Sequence, residues 1–278
     1  MRIKPLFIEQ IVKKTLFLGT ALTVLILLFI IFYVLKNGLA VIDLEFLLSS
    51  PKELGRAGGI FPCIIGTIIL PVVAILIATP LGVGTAIYLT EYTRESRLTK
   101  IIRFGTECLA GVPSIIFGLF GFVLFVVYLG FGWSILSGGF TLAFMILPTI
   151  IRTSEEAIKS VPYAYREVSF SLGGTKWQSI TRVVLPQALP GIVTGIILGI
   201  GRSIGETAAV IFTAGSSLQI PDSLFDSSRT MAVHFYILTR EGISMQNAYG
   251  TATILIIAIL LINLFAYWLM HRFMAKFS

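Results

Sequence analysis

Residues 188–213 read ALPGIVTGIILGIGRSIGETAAVIFT. The run is long enough to cross a bilayer, whose hydrocarbon core of ~30 Å takes ~20 residues of helix. It nevertheless holds two ionisable residues, Arg202 and Glu206. At membrane depth each costs about 2.5–3.5 kcal/mol on insertion scales, so such residues mark a functional site by default. Drawn as one helix at about 100° per residue, Gly191, Gly195, Gly199, Arg202, Glu206 and Thr213 share an arc of roughly 80°. Small-xxx-small spacing lets two helix backbones approach closely. That face is therefore small and polar, and it turns toward protein or a water-filled path, not toward lipid. The i,i+4 spacing lets Arg202 and Glu206 pair. Two readings stay open. The pair locks helix packing and nothing more, or Arg202 offers its guanidinium fork to an anion while Glu206 orients it or accepts from a protonated substrate. Ser203 and Thr207 follow the two charges; they either line this face or bond the backbone one turn back.

The remainder of the chain is of the same kind. Of 278 residues, 56% are hydrophobic and 13% charged, against about a quarter charged in an average soluble domain. Mean hydropathy is +0.93. A soluble enzyme and a disordered chain are both excluded as classes, and an all-α membrane protein is expected. Apolar runs predict six transmembrane helices, at 16–35, 60–89, 108–131, 134–151, 188–213 and 248–270. The fourth is slightly short, and the second carries Pro62, Pro71 and Pro80, which predict a kink. The first run is too long for a signal h-region and reads as a retained helix.

Net charge is +7, from 21 basic and 14 acidic residues. In a soluble protein this would suggest nucleic acid; here the basic residues cluster between spans. With the N-terminus in the cytoplasm, fifteen fall on inner segments, including Arg2, Lys4 and Lys276, and five on outer ones: Lys36, Lys52, Arg56, Arg229 and Arg240. That bias predicts an N-in/C-in topology. Loops 36–59 and 214–247 then face outward, and 152–187 faces the cytoplasm. Trp133, Tyr267 and Trp268 fall near span ends, as an aromatic belt would place them.

The inner loop is too regular for a plain connector. Thr153 and Glu156 have capping-box spacing, with Glu155 in the same first turn, and predict a helix start; Pro162 interrupts that helix. Residues 166–172 form two turns that Gly173 and Gly174 stop in a left-handed cap. Thr175 and Gln178 form a second capping box, opening a helix over 176–184 that Pro186 ends before the next span. The segment is either a surface connector or an element that presents a short helix to a cytoplasmic partner.

At this point a family comes into view. Glu167-Val168-Ser169, then Gly173, Ile180 and Leu185-Pro186, is similar to the EAA loop of ABC importer permeases, with Val and Ser in place of two alanines. Gly201-Arg202-Ser203-Ile204-Gly205-Glu206-Thr207 resembles the Gly-Arg-x-x-Gly-Glu-Thr stretch of phosphate importer permeases of the PstA type, and residues 112–118 and 78–89 agree with it. The resemblance implies a MetI-like domain over 59–270, a leader, first helix and outer loop over 1–58, and a cytoplasmic tail over 271–278. It implies an inorganic phosphate importer in the cytoplasmic (inner) membrane of a prokaryote, amid membrane lipid. Implied partners are a PstC-like second permease, two PstB-like ATP-binding subunits and a PstS-like extracytoplasmic phosphate-binding protein. Arg202, Glu206, Ser203 and Thr207 would line the substrate pathway. Glu167, Val168, Ser169, Gly173, Ile180, Leu185 and Pro186 would form the ATPase-coupling loop.

The chain itself shows no Walker A spacing, so no catalytic residue and no cofactor is assigned to it; ATP and Mg belong to the partner ATPase. No metal site is expected, since His234 and His271 stand far apart and Cys63 and Cys108 lack paired spacing. The alternatives are a permease for sulfate, molybdate or phosphonate, an ion-coupled secondary carrier or channel, and, more remotely, a membrane-embedded enzyme.

Overall fold

The computed structural model describes residues 5–274, and all of its long elements are helices. Arg2, Lys4 and Lys276, counted above among inner charges, lie outside the described residues, as does 275–278 of the expected tail. Helix α1 spans Pro5–Gly38, α2 Leu44–Leu48, α3 Phe61–Tyr92, α4 Arg97–Ala110, α5 Ser114–Tyr128 and α6 Ile135–Ser160. Helices α7 (Tyr163–Ser171), α8 (Lys176–Ile204), α9 (Ala208–Thr213), α10 (Met231–Arg240) and α11 (Met245–Met274) follow.

The core forms where α3 and α6 cross. Leu70, Ala74 and Ala78 meet Leu142, Met145, Ile146 and Ile150, all fully buried. A second cluster, with Ala157, Ile158, Val184, Ala188 and Ile192, joins α6 to α8. Within a bilayer such contacts stabilise by close packing, because lipid tails are as apolar as Leu. Small residues permit it: a Cβ at Gly195 would collide with Thr153 of α6, and one at Gly191 would meet Ala157. The glycines of the small face predicted for the 188–213 run thus turn to protein, as their spacing predicts. Helix α1 is peripheral and leans on α11, where Tyr33 meets Tyr249 edge-on at 5.9 Å.

Three local expectations fail, each for a physical reason. The third span is not a helix over 108–131. The chain turns by 103° between α4 and α5, at Gly111-Val112-Pro113, because a proline offers no N–H and drives the residue before it out of helix. Five helices among the described residues are therefore long and apolar enough to span, or six if the bent pair is one span. Thr153 does not cap a helix. It sits inside α6, its hydroxyl bonding the Thr149 carbonyl at 2.8 Å, because α6 continues for nine residues beyond the predicted end of the fourth span. Pro186 does not end a helix. Residues 180–184 form a wider π turn ahead of it, which absorbs the missing donor and the bulk of the ring. The second capping box forms in full, and Gly173 takes φ +78° as the left-handed cap.

The loops gather at two ends. Residues 36–60, 129–134 and 214–247 meet at one: Asn247 donates to the carbonyls of Gly55 and Arg56 at 2.9 and 3.0 Å, and the Ser134 amide to Thr213 at 3.1 Å. Residues 91–107 and 152–166 meet at the other, here called the basic end. This grouping is the one that the charge count predicts for opposite faces of a membrane.

Candidate functional site

The charged segment of the 188–213 run is not one helix. Helix α8 stops at Ile204, Gly205 closes it, and α9 starts after Thr207. Arg202 and Glu206 consequently form no ion pair. Glu206 turns its Oε1 to the amides of Thr207 and Ala209, at 3.2 and 3.3 Å, and so satisfies the open start of α9. Arg202 lies in the last turn of α8, where the free carbonyls favour a cation. The break thus gives each charge a complementary helix end in place of the other charge. The wheel missed this because a carboxylate next to glycine competes well for backbone N–H groups.

Arg202 is exposed and has no ionic partner among the described residues. Ser203 is buried and bonds the Gly199 carbonyl at 2.9 Å, one turn back. Thr207 does the opposite: it lines a cavity of about 1080 Å³ toward the end opposite the basic end, shared with Trp133, Ser216, Ser227, Tyr236 and Arg240. Of the four residues assigned to a pathway, Thr207 and Arg202 are open to approach, Glu206 is half-buried, and Ser203 is a packing residue.

The inner loop separates in the same way. Glu167, Val168 and Gly173 are exposed, and Ser169 is half-buried. Val168, Ser169 and Gly173, with Tyr165 and Leu172, border a groove of about 780 Å³ that Glu167 does not line. Tyr163, Tyr165, Val168, Leu172 and Trp177 all present apolar surface to solvent, between 48% and 84% exposed. A cluster of that size marks an interaction surface. Ile180 is buried at 1%, and Leu185 packs against the α6–α8 cluster; these two hold the loop on the bundle.

Reasoning from sequence did not single out Arg166 or Glu91. Arg166 is 8% exposed, and its guanidinium donates to the Glu91 carboxylate through Nε at 3.1 Å and Nη2 at 2.6 Å. It also donates to the carbonyls of Val161 and Ile158, at 2.8 and 3.1 Å. Around it lie Arg103–Glu155 at 2.7 Å, Lys159–Glu155 at 2.6 Å and Arg152–Glu107 at 2.8 Å. A polar position inside the triplet-bearing helix was the only available signal, since Glu91 is 75 residues away.

At the opposite end a second buried cation, Arg229, donates to the Ser216 carbonyl at 2.9 Å and lies 3.3 Å from His234 Nδ1. Burial, aided by the Arg229 charge, pushes the His234 imidazole down to about 4, so it is neutral near pH 7. Burial likewise lowers the Arg229 pKa from its ordinary value.

The family described as "Binding-protein-dependent transport system inner membrane component" matches residues 78–278. The chain is 33% identical over 268 residues to a probable ABC transporter permease protein, YqgI, of Bacillus subtilis (strain 168), covering 91% of each. It is 35% identical over 247 residues to the phosphate transport system permease protein PstA of Pasteurella multocida (strain Pm70), covering 86% of each. Among solved structures, an inward-facing MetNI methionine ABC transporter superposes with a TM-score of 0.64 at 17% identity, over 75% of this chain and 93% of that one, a likeness of fold. The chain belongs to the MetI-like family of inner membrane components of binding-protein-dependent transport systems, as a multi-pass permease subunit of an ABC importer.

Proposed function

We propose that this permease imports inorganic phosphate. The observation that carries the reading is Arg202: a guanidinium at the end of a membrane-spanning helix, exposed in the single chain and spent on no acid. Arg presents donors in a fork that matches an oxyanion. Its Gly-Arg-x-x-Gly-Glu-Thr setting and relatives that bear the PstA name add to this. A PstC-like permease completes the path, and a phosphate-binding protein delivers the anion at the end holding the Thr207 cavity. Two ATP-binding subunits, which hold ATP and Mg, dock on the exposed face of α7. Closure of those subunits moves the loop and rocks the helices in alternating access. The basic end faces the cytoplasm of a prokaryote.

The test is labelled phosphate uptake at low phosphate in a host lacking the gene, with the chain restored on a plasmid, before and after ATP depletion. Uptake that is lost, restored and ATP-dependent supports phosphate. Unchanged uptake refutes it and moves the assay to sulfate, molybdate and phosphonate. Exchanging the two charges, Arg202→Glu with Glu206→Arg, is expected to leave uptake lost, because the native side chains do not pair. Gly173→Val adds bulk into open space at a positive φ and is expected to abolish uptake with normal membrane insertion; normal uptake argues against docking at α7.

A further inference from the structure

The exposed face of α7 meets a partner, but a partner's push is useful only if α7 carries the bundle with it. Helix α7 is short, nine residues, and is joined to α6 through Val161 and Pro162 alone. The other ion pairs of the basic end each keep at least one side chain 27% exposed or more, and those of Arg152 are open on both sides: Arg152 is 59% exposed, Glu107 59% and Glu156 66%. Such pairs swivel and transmit little. The Arg166–Glu91 pair is different in kind, with its side chains 10% and 11% exposed.

Its geometry links three elements. Glu91 lies in the terminal π turn of α3, residues 88–92. The Ile158 and Val161 carbonyls belong to the end of α6 and the residue after it. Arg166 belongs to α7. One rigid, planar group therefore fixes α7 to both helices that build the core. Lys176 reinforces the same place, its Nζ lying 4.9 Å from the centre of the Tyr92 ring. A lysine at 166 has three donors but on a single nitrogen, so it cannot span acceptors that Arg166 meets from Nε, Nη1 and Nη2.

We infer that Arg166 and Glu91 are the positioning residues of coupling: the strut through which displacement of the α7 face reaches α3 and α6. The inference rests on the reading that α7 docks an ATPase subunit. Neither residue touches substrate or nucleotide. Each acts by holding α7 in register with the bundle.

The experiment uses the whole transporter in proteoliposomes. Three quantities are read: ATPase subunit retained on purification, ATP hydrolysed, and labelled phosphate imported. Failure of the wild-type chain to retain the ATPase subunit overturns the docking reading itself, before any variant is made. With docking established, Arg166→Gln and Glu91→Gln are each expected to retain the subunit and hydrolyse ATP within twofold of wild type. Import is expected to fall at least tenfold, so that ATP spent per anion rises. Arg166→Lys, which keeps the charge and part of the bonding, is expected to fall between. Import and hydrolysis that stay unchanged, or fall in equal proportion, overturn the proposal and leave the pair as packing. If Arg166→Gln releases the ATPase subunit, Glu91→Gln decides, since Glu91 lies outside the loop. Release by that variant too overturns the strut, because the pair would then only fold the docking surface.

Discussion

The two ends of the bundle solve the same problem with different chemistry. At the basic end, loops are tied across the bundle by charges: Arg166–Glu91, Arg103–Glu155 and Arg152–Glu107 each join separate elements. At the other end the ties are neutral or run to backbone. Asn247 reaches the carbonyls of Gly55 and Arg56, the Met231 amide donates to Thr67 at 2.8 Å, and buried Arg229 relies on the Ser216 carbonyl and a neutral imidazole. The one ion pair found there among the described residues, Arg240–Glu241, is exposed, adjacent in sequence and 3.9 Å long. The open charged ties, those of Arg152 and Lys159, can be rearranged by a charged partner or by water, around the buried Arg166–Glu91 pair. A neutral, backbone-bonded cap holds one shape. The end read as the docking face for a moving ATPase is thus the one with exchangeable bonds around a buried strut, and the end proposed to receive the anion is fixed.

The sharpest break of this contrast removes one member of a tie at each end. Glu91→Ala leaves Arg166 buried without its carboxylate and is expected to cost about 3–5 kcal/mol. Arg240→Ala leaves nothing buried and is expected to change the thermal midpoint in detergent by no more than the scatter of the measurement. Equal midpoints for the two variants would mean that the charged ties carry no stability, and the contrast would be lost.

A second prediction uses pH against the neutral end. The folded His234 imidazole titrates near 4, below the ordinary 6.5. Its proton is therefore taken up more readily by the unfolded chain, and stability is full above pH 6.5 and drains away as pH falls toward 4. The ceiling is about 3 kcal/mol, at about 1.4 kcal/mol per pH unit. Other groups titrate in the same window, so the quantity to plot is the difference between wild type and His234→Asn, which keeps an acceptor near Arg229 but no titrating ring. That difference is expected to shrink or reverse as pH falls from 7 to 4. A difference that stays constant would show that His234 gains its proton equally in both states.

How much of this was legible beforehand depended on the range of each signal. The spans, the small face of Gly191, Gly195 and Gly199, and the loop grouping were readable, because hydropathy and periodicity are properties of contiguous residues. The break at Gly205 was not. Arg202 and Glu206 at i,i+4 read as a helical pair, and the alternative needed knowledge that Glu206 would bond its own neighbours' amides. The turn before Pro113 had a local signal, Gly111 and Pro113, masked by the apolar run around it. The Arg166–Glu91 tie had only the polar position of Arg166 in its helix and nothing that named Glu91, because the partners meet only after α3, α6 and α7 have packed. Ile180 and Leu185, grouped by motif with surface residues, prove to be packing residues; a motif records spacing, not side.

The smallest expected effect separates two identical sequence signals at the basic end. Thr153-x-x-Glu156 and Thr175-x-x-Gln178 both have capping-box spacing. Only the second is one: the Gln178 amide donates to Thr175 Oγ1 at 3.3 Å, and Gln178 Oε1 accepts from the Thr175 amide at 2.8 Å. Thr175→Ala should cost about 1 kcal/mol, felt locally, because residues 175–178 are exposed and can open without the bundle. Exchange of the Gln178 amide is then expected to quicken about fivefold, with the global melt unmoved. Thr153→Ala, inside α6, has no cap to lose and should leave amide exchange at 154–156 as it was. Quickening at 154–156 would mean that Thr153 caps after all; none at 178 would mean that the neutral cap is idle and that the start of α8 is held by Lys176 on Tyr92. The basic end would then be charged in all its fixings, and the contrast with the neutral end would widen.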